Sequence, residues 1–188
     1  GLSGGTHSDN AISISMERMN RIIEIRPNSK IAFVEAGVIL AKLHQVASEN
    51  DLKFPLTFGA SGSATIGGVL STNAGGSNVL KYGNTRALVL GVEIVLPDGE
   101  IMNLMSELHK DNSGYSLRDL VIGAEGTLGV ITKAVLKLFP KPKAYATAMV
   151  AVESLDHALT LLNELQEGTG GAVAAYEYMP KIYVQGYM

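Results

Sequence analysis

Apolar and polar positions alternate along residues 11–15 (AISIS), and the same two-residue period returns at 21–25 and 31–36 on either side of Pro27-Asn28. Such alternation predicts half-buried strands, the last two joined by a turn. Over 38–50 the period lengthens. Ile39, Leu40, Leu43, Val46 and Ala47 recur at three- and four-residue intervals, the pattern of an amphipathic helix. Residues 88–96 (LVLGVEIVL), Pro97-Asp98-Gly99 and residues 100–104 predict a hairpin, because Asp-Gly accepts the positive φ of a tight turn. A polar stretch at 109–119 leads into Leu120-Val121-Ile122, and 130–139 (VITKAVLKLF) predicts a long strand that Pro140-Lys141-Pro142 closes. Beyond that boundary, 147–152 and 173–178 predict strands around a helix capped by Ser154. Leu155, Ala158, Leu159, Leu162 and Leu165 share one helix face, and 167–171 end it. The whole reads as an α+β chain whose last part begins a βαβ unit, with its apolar helix stripe taken as core.

Composition narrows the chemistry by exclusion. The 188 residues are 46% hydrophobic and 18% charged with a net charge of −3, which suits a folded chain rather than a disordered one. Lysine and arginine are spread without a basic stripe, so nucleic acid is not expected as a partner. With no cysteine, disulfides, thiolate metal sites and a cysteine nucleophile are excluded. His7, His44, His109 and His157 show no ligand spacing, so no metal is expected. His44 and His157 fall on predicted helices, at exposed or boundary positions. No apolar run reaches the length of a membrane span, and a cytoplasmic location is expected.

Glycine carries the candidate chemistry. Residues 59–91 hold eight of the 21 glycines, mixed with serine, threonine and asparagine and little charge. Three segments could let a backbone approach an anion closely: 1–5 (GLSGG), 59–76 (GASGSATIGGVLSTNAGG) and 123–129 (GAEGTLG). The middle one runs into Val69-Leu70, which suggests a short helix whose first amides add to an anion site. Turns between strands would explain any one of the three segments. No Gly-x-Gly-x-x-Gly and no Gly-Lys-Ser/Thr is present, which removes the Rossmann fingerprint and the Walker A loop.

These segments, with 19–25 (MNRIIEI), 55–76, Lys81-Tyr82-Gly83, 90–99 (LGVEIVLPDG), 110–120 (KDNSGYSLRDL) and 123–133 (GAEGTLGVITK), resemble the FAD-binding domain of vanillyl-alcohol-oxidase (PCMH-type) flavoproteins. The branch most similar holds D-lactate dehydrogenases, the glycolate oxidase flavin subunit and D-2-hydroxyglutarate dehydrogenases. The resemblance reaches to about Pro142. It implies an α+β PCMH-type domain, here its second lobe, with a mixed sheet and flanking helices. Residues 1–142 would be the FAD-binding domain without its N-terminal lobe, and 143–188 the beginning of a C-terminal substrate or cap domain.

The same resemblance implies the site. Ser3, Gly4 and Gly5 would be the second half of the pyrophosphate loop. Gly59, Ala60, Ser61, Gly62, Ser63, Ala64 and Thr65, with Thr72, Asn73, Ala74 and Gly75, would line diphosphate and flavin, and Gly67 and Gly68 would permit close packing. Tyr82 and Gly83 belong to the cofactor set by their motif, and Glu125, Gly126, Gly129, Val130 and Ile131 would supply backbone contacts. His7 follows the first segment, but the branch holds its flavin noncovalently. Lys110, Asn112 and Tyr115 match a family block whose Asn112, Ser113 and Gly114 also suit an ordinary turn.

The implied reaction of the intact enzyme is oxidation of a D-2-hydroxy acid, a base removing the hydroxyl proton while hydride passes from the α-carbon to flavin N5. The catalytic base is not assigned to any residue of this chain, which alone is expected to be inactive and to hold FAD weakly. The electron acceptor or partner subunit is unassigned, and a homo-oligomer is compatible with the sequence. Two alternatives stay open: another flavoprotein oxidase of the superfamily, acting on an alcohol or sugar lactone, and a noncatalytic structural or binding module.

Overall fold

The structure, a computed structural model, describes residues 12–185. Ser3, Gly4, Gly5 and His7 therefore lie outside the described residues.

The alternating segments pair as their period demands. Strand β1 (Ile22–Arg26) turns through 27–30, where Lys30 takes a left-handed φ of 54°, and returns antiparallel as β2 (Ile31–Glu35) with Ile25 opposite Ala32. The hairpin of β4 (Val89–Val95) and β5 (Ile101–Leu104) also forms, with Gly99 at φ 89° in its turn. Strand β6 (Val130–Lys137) lies between β2 and β4 and closes a five-stranded sheet in the order β1-β2-β6-β4-β5. Every pairing in it is antiparallel, so the mixed sheet expected from the resemblance is not what the described residues form.

One face of the sheet carries the core. Ala32 and Val34, Val92 and Ile94, and Ala134 and Leu136 point to this side of their strands and are fully buried. Helix α1 (Leu40–Glu49) covers them with Leu40, Leu43 and Ala47, and the short helix α2 (Ile66–Ser71) with Ile66, Val69 and Leu70. Gly67 is what lets α2 lie so close, because a Cβ there would sit 2.9 Å from the Ala36 Cβ. A smaller cluster of Ile31, Leu90 and Val135, with Phe33 and Met105, occupies the opposite pleat.

Several expectations fail where tertiary partners decide. Residues 12–15 form no strand, and Ile12 and Ile14 are exposed. The long strand breaks after Lys137, and β7 (Phe139–Pro140) leaves the sheet to pair with β3 (Leu52–Lys53). A short helix α4 (Leu117–Val121) occupies the end of the polar stretch, capped by Ser116 Oγ accepting from the Asp119 amide. Helix α5 (Leu155–Gly168) forms with the expected cap, Ser154 Oγ accepting from His157 N at 3.1 Å. Its stripe is not core: Leu155, Leu159 and Leu165 are exposed and only Ala158 is buried. Residues 147–152 and 173–178 pair with no strand among the described residues, so the βαβ unit is not formed. A strand is stable only against a neighbour, and none lies beside either segment.

Candidate functional site

The middle glycine segment leaves the core at Phe58 and makes a 3₁₀ turn, Gly59–Gly62, before Thr65 caps α2 by accepting from the Gly68 amide at 3.4 Å. The next amides are already used. Ile66 N donates to Val38 O at 2.9 Å and Gly67 N to Ala36 O at 2.7 Å, fastening α2 to the β2–α1 connection. The expected anion site at the start of α2 is therefore closed by the protein itself. The open surface lies one turn earlier. A Cβ at Gly59 or at Gly62 would meet nothing within 4 Å, and the amides of Gly59 and Ala60, which head a 3₁₀ turn, donate to no acceptor among the described residues.

The third segment is hydrogen-bonded to the end of the second. Gly123 N donates to Leu70 O at 3.0 Å and Glu125 N to Ser71 O at 2.9 Å. Asn73 (φ 46°) and Glu125 (φ 51°) both hold the left-handed conformation that side chains avoid, and Gly123 and Gly126 share it. Between them stands Arg86. Its amide donates to Asn73 Oδ1 at 2.9 Å, and its guanidinium Nη2 donates to Ile122 O. Thr85 completes the junction, its amide and its hydroxyl both donating to Ala74 O, at 3.1 and 2.7 Å. Arg86 and Thr85 were not among the sequence candidates. Their signal was a lone cation and a hydroxyl just after Gly83, in a motif read for its glycine.

The predicted site residues separate accordingly. Gly59, Ala60, Ser61, Gly62, Ser63, Ala64 and Thr65, the residues 72–75, and Glu125 with Gly126 lie on the loops around α2. Gly67 and Gly68 sit in α2, Gly67 in the packing role expected of it. Gly129 is forced by the sheet, at φ 149° with a Cβ that would fall 2.7 Å from Val95 O, and Ile131 is buried in the core. Gly83 ends the helix α3 (Val79–Tyr82) at φ 75°. Tyr82 is set apart: its ring meets Phe139 edge-on at 4.8 Å, on the β3–β7 flank.

The charge pattern suits a ligand bound through backbone. No ionisable side chain occurs between Lys53 and Lys81, so the loops of the middle segment carry no charge of their own. Arg86 and Glu125 are charged groups at their junction with the third segment, and the nearby Asp119 carboxyl is held below its ordinary range first by its hydrogen bond to Arg118 and further by the Arg86 charge. Among the described residues no group of three His, Asp or Glu side chains is placed to hold a metal ion. Exposed backbone without Cβ atoms, two open amides and no nearby carboxylate in the turn fit a dinucleotide diphosphate.

Comparison with known proteins decides the family. The family model described as FAD binding domain matches residues 1–105. The chain belongs to this family of FAD-binding domains. D-2-hydroxyglutarate dehydrogenase, mitochondrial, of Rattus norvegicus is 40% identical over 168 residues, which is 89% of this chain and 31% of that protein. D-lactate dehydrogenase of Archaeoglobus fulgidus is 40% identical over 166 residues, 88% of this chain and 37% of that protein. Among solved structures, an alkyldihydroxyacetonephosphate synthase superposes with a TM-score of 0.64 at 26% identity, over 74% of this chain and 25% of that one. This FAD-binding domain thus spans about a third of the length of the curated relatives it matches. The α+β PCMH-type fold and the FAD assignment are borne out at the level of the family. No helix among the described residues is long and apolar enough to cross a membrane.

Proposed function

We propose that this chain is the FAD-binding portion of a flavin-dependent dehydrogenase that oxidises a D-2-hydroxy acid of the lactate, glycolate or 2-hydroxyglutarate class. The observation that carries the reading is the junction of two glycine-rich loops around α2, tied by Gly123 N to Leu70 O, Glu125 N to Ser71 O and Arg86. Relatives named for D-2-hydroxyglutarate and D-lactate, each about 40% identical, support the substrate class. FAD, when bound, supplies the hydride acceptor and the protein supplies position and exclusion of water. Within this chain the 3₁₀ turn at Gly59–Gly62 offers amides to the diphosphate, and the left-handed residues Asn73 and Glu125 hold the facing loop. Ser3, Gly4 and Gly5 add the first segment, and residues 72–75 and Gly83 complete the cofactor side.

The proposal includes the division at Pro142, with 143–188 opening a substrate domain. Exposed leucines on α5 and unpaired segments on either side of it support that division, since they await strands and a core of their own. The cytoplasmic location and a homo-oligomer belong to the same proposal. Imaging of a fluorescent fusion of the intact protein tests the first, and light scattering tests the second.

The deciding experiment compares intact protein with its Gly62→Val variant. Space at Gly62 is open, so the variant is expected to fold with an unchanged melting temperature, yet to lose the flavin absorbance near 450 nm that the parent shows. Equal flavin content in the two proteins would favour glycines that serve turns alone, and a colourless parent that leaves FAD fluorescence unquenched would favour the noncatalytic module. Turnover of D-lactate, glycolate and D-2-hydroxyglutarate by the intact protein then ranks the substrates.

A further inference from the structure

A concave surface lies between the later turns of α1 and the β3–β7 pair and borders the middle glycine segment at Thr57, whose carbonyl accepts from Ser77 N at 2.9 Å. This hollow of about 160 Å³ is lined by His44, Ser48, Lys53, Thr57 and Lys141 over an apolar floor of Leu52 and Phe54. The lining thus counts two lysines, a histidine, a serine and a threonine, and no acidic residue. Lys141 Nζ donates to Ser48 Oγ at 2.7 Å, and His44 Nε2 is bonded to Leu56 O at 2.9 Å, which leaves Nδ1 of the ring without that tie.

Lys53 is the unusual member. It is half-buried, and among the described residues no carboxylate pairs with it. Its charged neighbour is instead Lys81, and the two ammonium groups lie 5.2 and 5.5 Å from the centre of the same Tyr82 ring. Burial, then the Lys81 charge, holds the Lys53 ammonium below its ordinary range. His44 is likewise held low, first by burial, against the pull of the Leu56 carbonyl, and further by Lys53. The chain has a net charge of −3, yet among the described residues no carboxylate forms an ion pair with Lys53 or Lys141. Like charges gathered in a partly desolvated place are stabilised by an anion that joins them.

We infer that the hollow between α1 and β3 binds one oxyanion group, phosphoryl or carboxylate, of a small metabolite, with Lys53 and Lys141 as its cationic clamp. Its volume is below that of a pocket for a whole drug-sized ligand, so it seats one charged group while the rest of the ligand stays outside. The inference does not rest on flavin binding.

The test follows the His44 imidazole by proton NMR as the chain is titrated with inorganic phosphate, with sodium acetate, and with sodium chloride at matched ionic strength. His44→Gln assigns the signal. Phosphate or acetate is expected to raise the His44 pKa saturably, by about half a pH unit, because a bound anion favours the imidazolium. Lys53→Met is expected to raise it without any anion and to abolish the saturable response, and Lys141→Met, at an exposed position, to weaken that response severalfold. A larger effect of phosphate assigns a phosphoryl group and a larger effect of acetate a carboxylate. Absence of saturation with both anions, an equal shift with chloride, or an undiminished response in both lysine variants would overturn the site.

Discussion

At Gly67 and Glu35, single atoms set what the domain tolerates. Gly67 sits where α2 crosses the end of β2, and the Ala36 Cβ leaves no room for a methyl group. Gly67→Ala is expected to cost about 1–3 kcal/mol through overpacking, lowering the thermal midpoint by several degrees while Gly68→Ala, on the exposed side, changes it less. Glu35 is buried and accepts from the amide, Nε and Nη2 of Arg21, and the Arg21 guanidinium holds its carboxyl below the usual carboxylate range. A depressed folded pKa means stability that is complete above the ordinary glutamate range near pH 4.3 and is lost as the pH falls through the folded value. Glu35→Gln should therefore be less stable than the parent at pH 7, with the gap closing as the pH falls below the ordinary glutamate range and through the lowered folded value. A gap independent of pH would show that the carboxylate charge plays no part.

At the level of elements, the junction of the two loops depends on a residue that has no glycine character. Arg86 reaches from the 3₁₀ turn before β4 to Ile122 O and, by its amide, to Asn73. Arg86→Ala keeps the amide bond to Asn73 but leaves the Ile122 carbonyl unpartnered and the third segment held by its two backbone bonds alone. The expected result is a loss of about 1 kcal/mol in stability and a roughly tenfold weaker FAD affinity in the intact protein, read by thermal melts and by flavin fluorescence quenching. Arg86→Lys should recover part of the stability, since one ammonium can reach a carbonyl without the planar fork. The paired strands, α1, α5 and the hairpin turn were legible because their periods and caps are local signals. The first turn of α2 was read as an open anion site because sequence cannot tell which carbonyls will meet its amides; Val38 O and Ala36 O take them.

For the whole molecule, the sheet with α1 and α2 is one body, while α5 makes its hydrogen bonds locally, as in Tyr176 Oη to Ala158 O at 2.7 Å. Ending the chain after Pro142 is expected to leave the thermal midpoint within about 2 °C of the parent, because little buried surface is removed. Amides of α5 should exchange with solvent far faster than those of β6; protection of α5 equal to that of β6 would show that it folds with the body. The order of strands and helices, the candidate glycine loops and the family motifs are properties of neighbours along the chain, so composition, period and spacing were enough to read them. Which amides stay open, that Arg86 joins two distant loops, that β6 yields β7 to a partner at Leu52–Lys53, and that Lys53 meets Lys81 across Tyr82 depend on residues far apart in the chain. Such contacts are chosen by packing in three dimensions, where each backbone group and charge takes the partner that burial leaves within reach.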